Sequence, residues 1–568
     1  LTILQSFNLA EVTLGPGLLS DKAGRMLDHL RAYDADRLLR AFRENAGLPT
    51  PSVPRPGGWE DPTGEANGNL RGHYTGHFLS ALAQAFAGTR DPAYATKLRY
   101  LVDGLASCQE ASGYLAAYPE KQFVQLETMT TADYTVVWAP YYTAHKLLKG
   151  LLDTYLSIGD LRALELAEGM CRWMFERLRR LPAEVLQRMW SLHGSGEYGG
   201  LAETLCDLYG VTRDPDWVSF GRLLDLDVLI DACAAGRDVL DGVHANQHIP
   251  IFTGMVRLFE VTGEVRYLRA AVNFWDQVVP GRMYSIGGTS SLEFWGAAGS
   301  IAGTLSETNA ETCCTHNLLK LSRLLFLHLG DPKYLHYYER ALYNQILGSK
   351  QDVVSADRPL TTYFIGLLPG SVRNYLPKDG ATCCEGTGLE SATKYQDSIY
   401  FHGADDLYVN LYCASSVQWG GVRVTQTTNF PYEQGTTLTV EGGGSFTLHL
   451  RVPPWTSMRA EVNGQPLEVD SGGYLAISRD WMSGDTVRIH LPFSLRSEPT
   501  PDDPTLASVF YGPIHLVALD NRRDYLRADL SIFRPIPGNP LHFDANGTEF
   551  APFFEGTTQA FHSYIRVR

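Results

Sequence analysis

The sequence carries two adjacent cysteine pairs. Cys313-Cys314 stands within Glu311-Thr312-Cys313-Cys314-Thr315-His316-Asn317, and Cys383-Cys384 precedes Glu385-Gly386. Neighbouring cysteines do not easily bridge one another, so each pair must find partners elsewhere. Thiolates with a carboxylate close by suit zinc, which takes both Cys sulfur and Glu oxygen as ligands. Glu311, Cys313, Cys383 and Cys384 form the candidate ligand set for one Zn ion. The alternative is a group of buried free thiols acting as small hydrophobes. That reading suits a lone cysteine. Two pairs, with a glutamate just ahead of the first, favour a metal. Nine cysteines scattered through 568 residues do not make a disulfide scaffold.

Six further stretches place polar groups where apolar helical runs begin. They are Leu70-Arg71-Gly72-His73, Tyr141-Tyr142-Thr143-Ala144-His145, His193 to Gly200, His244-Ala245-Asn246-Gln247-His248, Ser291-Leu292-Glu293-Phe294-Trp295 and Tyr338-Glu339-Arg340. Any one of them alone reads as a helix cap or a partner in a buried pair. Six together point to a cavity whose wall can hydrogen-bond a polyhydroxylated ligand.

The elements that must position these groups are helical up to about Tyr395. One turn recurs between amphipathic runs: Thr89-Arg90-Asp91-Pro92, Ile158-Gly159-Asp160-Leu161, Thr212-Arg213-Asp214-Pro215, Thr262-Gly263-Glu264-Val265 and Leu329-Gly330-Asp331-Pro332. Gly ends a helix in the left-handed conformation, Asp caps the next one, and Pro suits its first turn. Phe78, Leu79, Leu82 and Phe86 recur at helical spacing, as do Leu147, Leu148, Leu151 and Tyr155. With a further hairpin from Asp21 to Arg43, about six hairpins result. The long insert at 281–312 favours a closed array with functional loops at one end. The expected fold is multidomain, α then β: an (α/α)6 barrel over residues 1–395, then an antiparallel β-sandwich region over 396–568. Alternating runs such as Thr437–Val440, Phe446–Leu450 and Thr486–Leu491 carry the β assignment. The Asp-, Pro- and Arg-rich stretch after Pro499 leaves room for a small second module near 500–545.

Composition narrows the partners. A net charge of -15 argues against nucleic acid, whose phosphates need clustered Lys and Arg. Aromatic residues reach 11%, enough to supply flat platforms for sugars as well as a core. No run of about 18 apolar residues suggests a membrane span. Leu1-Thr2-Ile3-Leu4-Gln5 lacks a basic start and a cleavage site. The expected compartment is therefore cytoplasmic, or periplasmic or extracellular if a leader has been removed. The sequence leaves the oligomeric state open.

On the Glu-x-Cys-Cys motif at Glu311–Cys314, the Cys383-Cys384-Glu385-Gly386 run and Glu197-Tyr198-Gly199-Gly200, the sequence resembles the zinc-dependent β-L-arabinofuranosidases. These are glycoside hydrolase families 127 and 146. The His244–Gln247 and Leu70–His73 stretches lean toward family 146. The resemblance implies an (α/α)6 barrel with β-sandwich domains. It also implies a retaining exo-glycosidase that releases β-linked L-arabinofuranose from plant-type arabino-oligosaccharides or glycoconjugates. By motif, the zinc-bound nucleophile is Cys383, with Glu311, Cys313 and Cys384 completing the shell. Glu293 matches the general acid/base. His145, His193, His244 and Glu339 match positions that bind the furanose hydroxyls, with Tyr363 as a companion.

Glu307 competes with Glu293 for the acid/base role, because the insert between Gly287 and Thr304 is hard to register. Glu293 lies beside Phe294 and Trp295, an apolar setting expected to raise a carboxyl pKa as an acid requires. Glu307, between Ser306 and Thr308, reads as more solvated. Two alternatives remain: a non-catalytic, zinc-stabilised glycan-binding protein, and another (α/α)6 sugar enzyme, for which the cysteine pairs are not required.

Overall fold

The computed structural model describes residues 4–61, 70–377, 379–470 and 472–567. Residues 1–3, on which the reading of the chain's start partly rests, lie outside them. Six helices form an inner ring: His73–Thr89, Pro140–Ile158, Leu201–Thr212, Ala245–Thr262, Thr312–Leu329 and Cys383–Ala392. Each packs on the next, and Cys383–Ala392 closes the ring against His73–Thr89. An outer layer alternates with them: Leu18–Ala32, Pro92–Ala106, Leu161–Leu178, Asp216–Arg222, Val265–Arg282 and Lys333–Ala341. This is the (α/α)6 barrel. The outer helices bury one stripe, as Tyr267, Ala270, Ala271, Phe274, Trp275 and Val278 show. The inner helices are covered on almost every face.

The recurring turn behaves as expected where it carries Gly, and Arg90 and Arg213 take the same conformation without one. Arg90, Gly159, Arg213, Gly263 and Gly330 all end inner helices in the left-handed conformation. Asp91 and Asp160 then cap the following helices through their side chains. These five turns collect at one end of the barrel, so the starts of the inner helices collect at the other.

Three sheets follow the barrel. One has five strands: Gln5–Ser6, Tyr400–His402, Asp406–Val409, Gly444–Arg451 and Tyr474–Trp481, in that order. A seven-stranded sheet runs from Gln465–Leu467 through Gly435–Glu441 to Val12–Leu14. Strands alternate buried and exposed residues, for example Gly435–Glu441 and Val422–Thr427, as a two-layer sandwich requires. Among the described strands the pairing is antiparallel except between Asp406–Val409 and Gly444–Arg451 and between Arg527–Ala528 and Ile565–Val567, which run parallel. The first strands of the chain join these sheets, and the helical part begins at Leu18. The third sheet takes in nine strands between Leu495 and Val567, beyond the range near 500–545. It shares a separate apolar core with the barrel's inserts: Tyr284, Ile286, Ile301 and Ile365 pack with Val517, Phe553, Phe561 and Tyr564. Among the described residues, no helix is long and apolar enough to cross a membrane.

Candidate functional site

The two helices that supply the cysteines are neighbours in the inner ring. Glu311 is the N-cap of Thr312–Leu329, which puts Cys313 in that helix's first turn. Thr382 caps Cys383–Ala392. Its hydroxyl accepts from the Glu385 N–H, and the Glu385 carboxylate accepts from the Thr382 N–H at 3.1 Å. This capping box sets Cys383 and Cys384 as the first two helical residues. Peptide dipoles at both helix starts favour negative charge, which suits thiolates.

Ligand atoms of Glu311, Cys313, Cys383 and Cys384 all lie within 4.8 Å of one another, and all four residues are buried. Cys383 Sγ is 3.7 Å and Cys384 Sγ 3.9 Å from Glu311 Oε1, and the two sulfurs are 4.0 Å apart. A tetrahedral ion with metal–sulfur bonds of about 2.3 Å holds its sulfurs about 3.8 Å apart. The group can therefore hold a metal ion. Burial pushes Cys383, Cys384 and Glu311 well above their ordinary pKa ranges, and at Glu311 the neighbouring Cys383 adds to it. Cys313 differs. Burial opposes its ionisation, but hydrogen bonds from Cys383 and Cys384 outweigh that and bring the thiol down to about 6. Packed in one buried place with it, the other three acids stay largely protonated unless a cation compensates their charge. Cys314 belongs to the main apolar core, with its thiol 3.6 Å from Glu311 Oε2.

A cavity of about 230 Å³ opens over this cluster, and Cys383 is the one ligand candidate of the four in its wall. Glu293, Tyr363, His193 and His244 share that wall. So do Leu70, Tyr142, Glu197 and Asn246, all from stretches singled out by sequence. His244 caps its helix through Nδ1, which accepts the Gln247 N–H at 3.1 Å. Tyr363 lies in a loop tied to the start of the Thr312 helix, where its carbonyl accepts the Thr312 N–H at 2.9 Å. Burial raises the Glu197 carboxyl above its ordinary range.

Glu293 sits in a strained turn. Its φ is 71°, with Ser290 at 73° and Leu292 at 47°. Left-handed conformations at such residues cost about 1–3 kcal/mol each and persist only where neighbours hold them. Here the Glu293 carbonyl accepts the Ala245 N–H at 2.7 Å, and the Trp295 N–H donates to Val243 at 3.0 Å. The Tyr363 hydroxyl donates to Glu293 Oε1 at 2.5 Å, and His244 Nε2 lies 3.4 Å from Oε2. The expected apolar setting is not what surrounds this carboxyl. Trp295 is drawn into the core, donating to Thr289 at 2.9 Å, and Phe294 packs on the rings of His193 and His244. Burial would raise the Glu293 pKa, but the bonds from His244 and Tyr363 win and hold it below the ordinary value.

Two expected sugar contacts lie away from the cavity wall. His145 points into the barrel beneath Gly199-Gly200. A Cβ on Gly199, whose φ is 55°, would come within 2.9 Å of its Nδ1. The Gly-Gly pair thus lets the chain pass over this ring, and burial keeps His145 neutral, well below its ordinary pKa. Glu339 lies on the outer helix Lys333–Ala341, because the chain from Glu311 runs down one helix and returns along the next in the outer layer. Its carboxylate pairs with Arg451 and accepts from Trp455 Nε1 at 2.7 Å, both in the sandwich. It lines a different cavity, with Trp275 and Arg340. Glu339→Gln is therefore expected to destabilise the protein by about 3–5 kcal/mol, as breaking a buried ion pair does. Activity per folded molecule should stay within twofold of wild type. Denaturant melts beside active-site titration read the two effects separately, and a selective rise in KM would return Glu339 to the site.

Trp59, Tyr134 and Trp138 also line the cavity and were not anticipated. Trp59 rides on a loop anchored by Glu60, whose carboxylate accepts the Gly72 and Tyr74 N–H groups at 2.7 and 2.9 Å. Gly58 is required there, since a Cβ would fall 1.4 Å from the Asp379 carbonyl oxygen. The available signal was aromatic residues in loops just before inner helices, as with Trp138 ahead of Pro140.

Comparison with known proteins agrees with this arrangement. Residues 406–493 match the family model described as the β-L-arabinofuranosidase GH127 middle domain. A solved GH127 β-arabinofuranosidase superposes at a TM-score of 0.78 with 18% identity, covering 100% of this chain and 98% of that one. The GH127 β-L-arabinofuranosidase Ara127N of Geobacillus stearothermophilus T6 superposes at 0.72 with 19% identity, covering 98% and 100%. At these identities the likeness speaks for the fold alone. The search of curated proteins gave no match. Residues 11–397, more than half of the chain, match the model described as the β-L-arabinofuranosidase GH127 catalytic domain, so the chain belongs to the GH127 family and is a glycoside hydrolase acting on carbohydrate.

Proposed function

We propose that the protein is a retaining exo-β-L-arabinofuranosidase that binds zinc through Glu311, Cys313, Cys383 and Cys384 and uses Cys383 as nucleophile. The observation that carries this reading is that Cys383 belongs both to the buried ligand group and to the wall of the cavity that holds Glu293. Three sulfurs and one oxygen within 4.8 Å of one another favour zinc over harder cations. When bound, the ion supplies positive charge that keeps the thiols ionised at neutral pH.

In the first step the Cys383 sulfur bonds to the anomeric carbon as the glycosidic C–O bond breaks, and Glu293 gives its proton to the departing oxygen. In the second, the Glu293 carboxylate takes a proton from water. The water oxygen bonds to the anomeric carbon and the C–S bond breaks. Two inversions retain the configuration. His193, His244, Tyr363, Glu197 and Asn246 supply partners for sugar hydroxyls, and Trp59 and Trp138 supply apolar faces. A cavity of about 230 Å³ lies below the range of about 300–1,000 Å³ usual for drug-sized ligands, which supports a single terminal pentose. The closer affinity with family 146, from Leu70–His73 and His244–Gln247, and the division into a catalytic part to residue 395 and a β region from 396 belong to the same proposal.

The test is a panel of 4-nitrophenyl pentofuranosides assayed with and without chelator and reductant. The β-L-arabinofuranoside should be hydrolysed fastest, and elemental analysis of the reduced protein should give one zinc per chain. Chelation should abolish turnover and lower the melting temperature together, because metal bound only by the folded state stabilises it. A metal-free sample with full activity would end the zinc reading.

A further inference from the structure

A second cavity, of about 390 Å³, adjoins the first, and Trp59, Glu293 and Tyr363 belong to both walls. The carboxyl read as the acid/base thus stands between two spaces, one with Cys383 and one without it. We infer that this second cavity is the leaving-group site and that it takes a second sugar unit, with Glu307 as a specificity-determining residue. The inference rests on the function proposed above. A group that protonates a departing oxygen must lie between the sugar attacked and the group released, and Glu293 does so.

The far wall has the chemistry of a sugar site. Phe364 and Trp59 offer aromatic faces, while Glu307, Asn374 and Asp379 offer acceptors for hydroxyls. Glu307 is held in place. Its Oε2 accepts the Ser371 hydroxyl at 2.7 Å and its Oε1 accepts Arg523 Nη1 at 2.8 Å. Each oxygen keeps a lone pair for a ligand. A Cβ on Gly366 would lie 2.6 Å from Glu307 Oε2, so the chain is bare where the carboxylate passes. Arg523 comes from a loop between strands of the third sheet, and that region also steadies the 281–312 insert that carries both carboxylates. Asp502 accepts the Ala302 and Gly303 N–H groups, both at 2.8 Å, and the Tyr564 hydroxyl accepts the Ser285 N–H at 2.9 Å. The C-terminal sheet thereby acquires a role in choosing the leaving group.

The experiment compares wild type, Glu307→Gln, Asn374→Ala and Phe364→Ala on two substrates: a β-L-arabinofuranosyl disaccharide and the 4-nitrophenyl β-L-arabinofuranoside. KM for the disaccharide should rise about tenfold in each variant, the loss of one good polar or stacking contact. Values for the aryl glycoside should stay within twofold. Gly366→Ala should reproduce the Glu307 effect by displacing the carboxylate. A fall in kcat on the disaccharide with KM unchanged would mean these residues act only through Glu293, and unchanged disaccharide kinetics would mean the cavity is not used. Either result overturns the inference. If wild type hydrolyses neither substrate, the proposed function fails, and calorimetric titration with the same disaccharide decides the cavity separately. A tenfold weaker affinity in the variants keeps the site, and equal affinities remove it.

Discussion

Cys383→Ala is expected to lower kcat on every arabinofuranoside, activated or not, by about 10⁵-fold or more, the scale on which removing a nucleophile acts. The substitution takes away a small buried side chain, so a circular dichroism spectrum like that of wild type should accompany the loss. Cys384→Ala should weaken metal binding without removing the reacting atom, because Cys384 is not part of the cavity wall. A cyclophellitol-type or haloacetamide analogue of β-L-arabinofuranose should attach to Cys383 in wild type, with the adduct located by mass spectrometry. An adduct on Glu293 or Glu311 would mean an ordinary carboxylate mechanism. One on Cys384 would keep the sulfur chemistry and overturn only the choice between the pair.

Glu293→Gln should lose about 10²–10⁴-fold on substrates with poor leaving groups, the usual worth of general acid catalysis, and far less on activated aryl glycosides. Glu307→Gln should show no such dependence in kcat and should raise only KM for the disaccharide, since Glu307 lines the second cavity and not the first. The pH profile gives an independent reading. His244 and Tyr363 hold the Glu293 pKa below its ordinary value, so the protonated form is lost as pH rises through that lowered value. For poor leaving groups kcat/KM should therefore fall with rising pH, by about tenfold per unit above the pKa. The fall should vanish in Glu293→Gln. His244→Asn removes one of the groups that lowers the pKa and should move the limb to higher pH, whatever its effect on binding. A limb unmoved by both substitutions would belong to another group. If Glu307→Gln gave the leaving-group pattern instead, the acid/base assignment would pass to Glu307.

Much of this molecule is written in short-range signals. The recurring turns end and restart helices through signals that need only a few consecutive residues, and so five hairpins of the barrel are legible in the sequence. The sixth pair is not the expected Asp21–Arg43 hairpin but Cys383–Ala392 with Leu18–Ala32, from the two ends of the helical part. The same holds for the cysteine cluster. Glu311 and Thr382 are cap residues, and the first helical turns beyond them present Cys313, Cys383 and Cys384 at the barrel mouth. What the sequence by itself could not decide is which side chains meet across the ring. Glu339 follows Glu311 by one helical hairpin, but packing against Arg451 and Trp455 of the sandwich claims it for the outer layer. His145 lies only a turn below Tyr142, yet that turn takes it from the cavity wall to beneath Gly199. Phe294 and Trp295 flank Glu293 in sequence, but the strained turn points them elsewhere and leaves His244 and Tyr363 to set its charge. Caps and periodicity act within a few residues of chain. The environment of a carboxyl is set by segments tens or hundreds of residues apart, which only the closed ring and the sheets packed on it bring together.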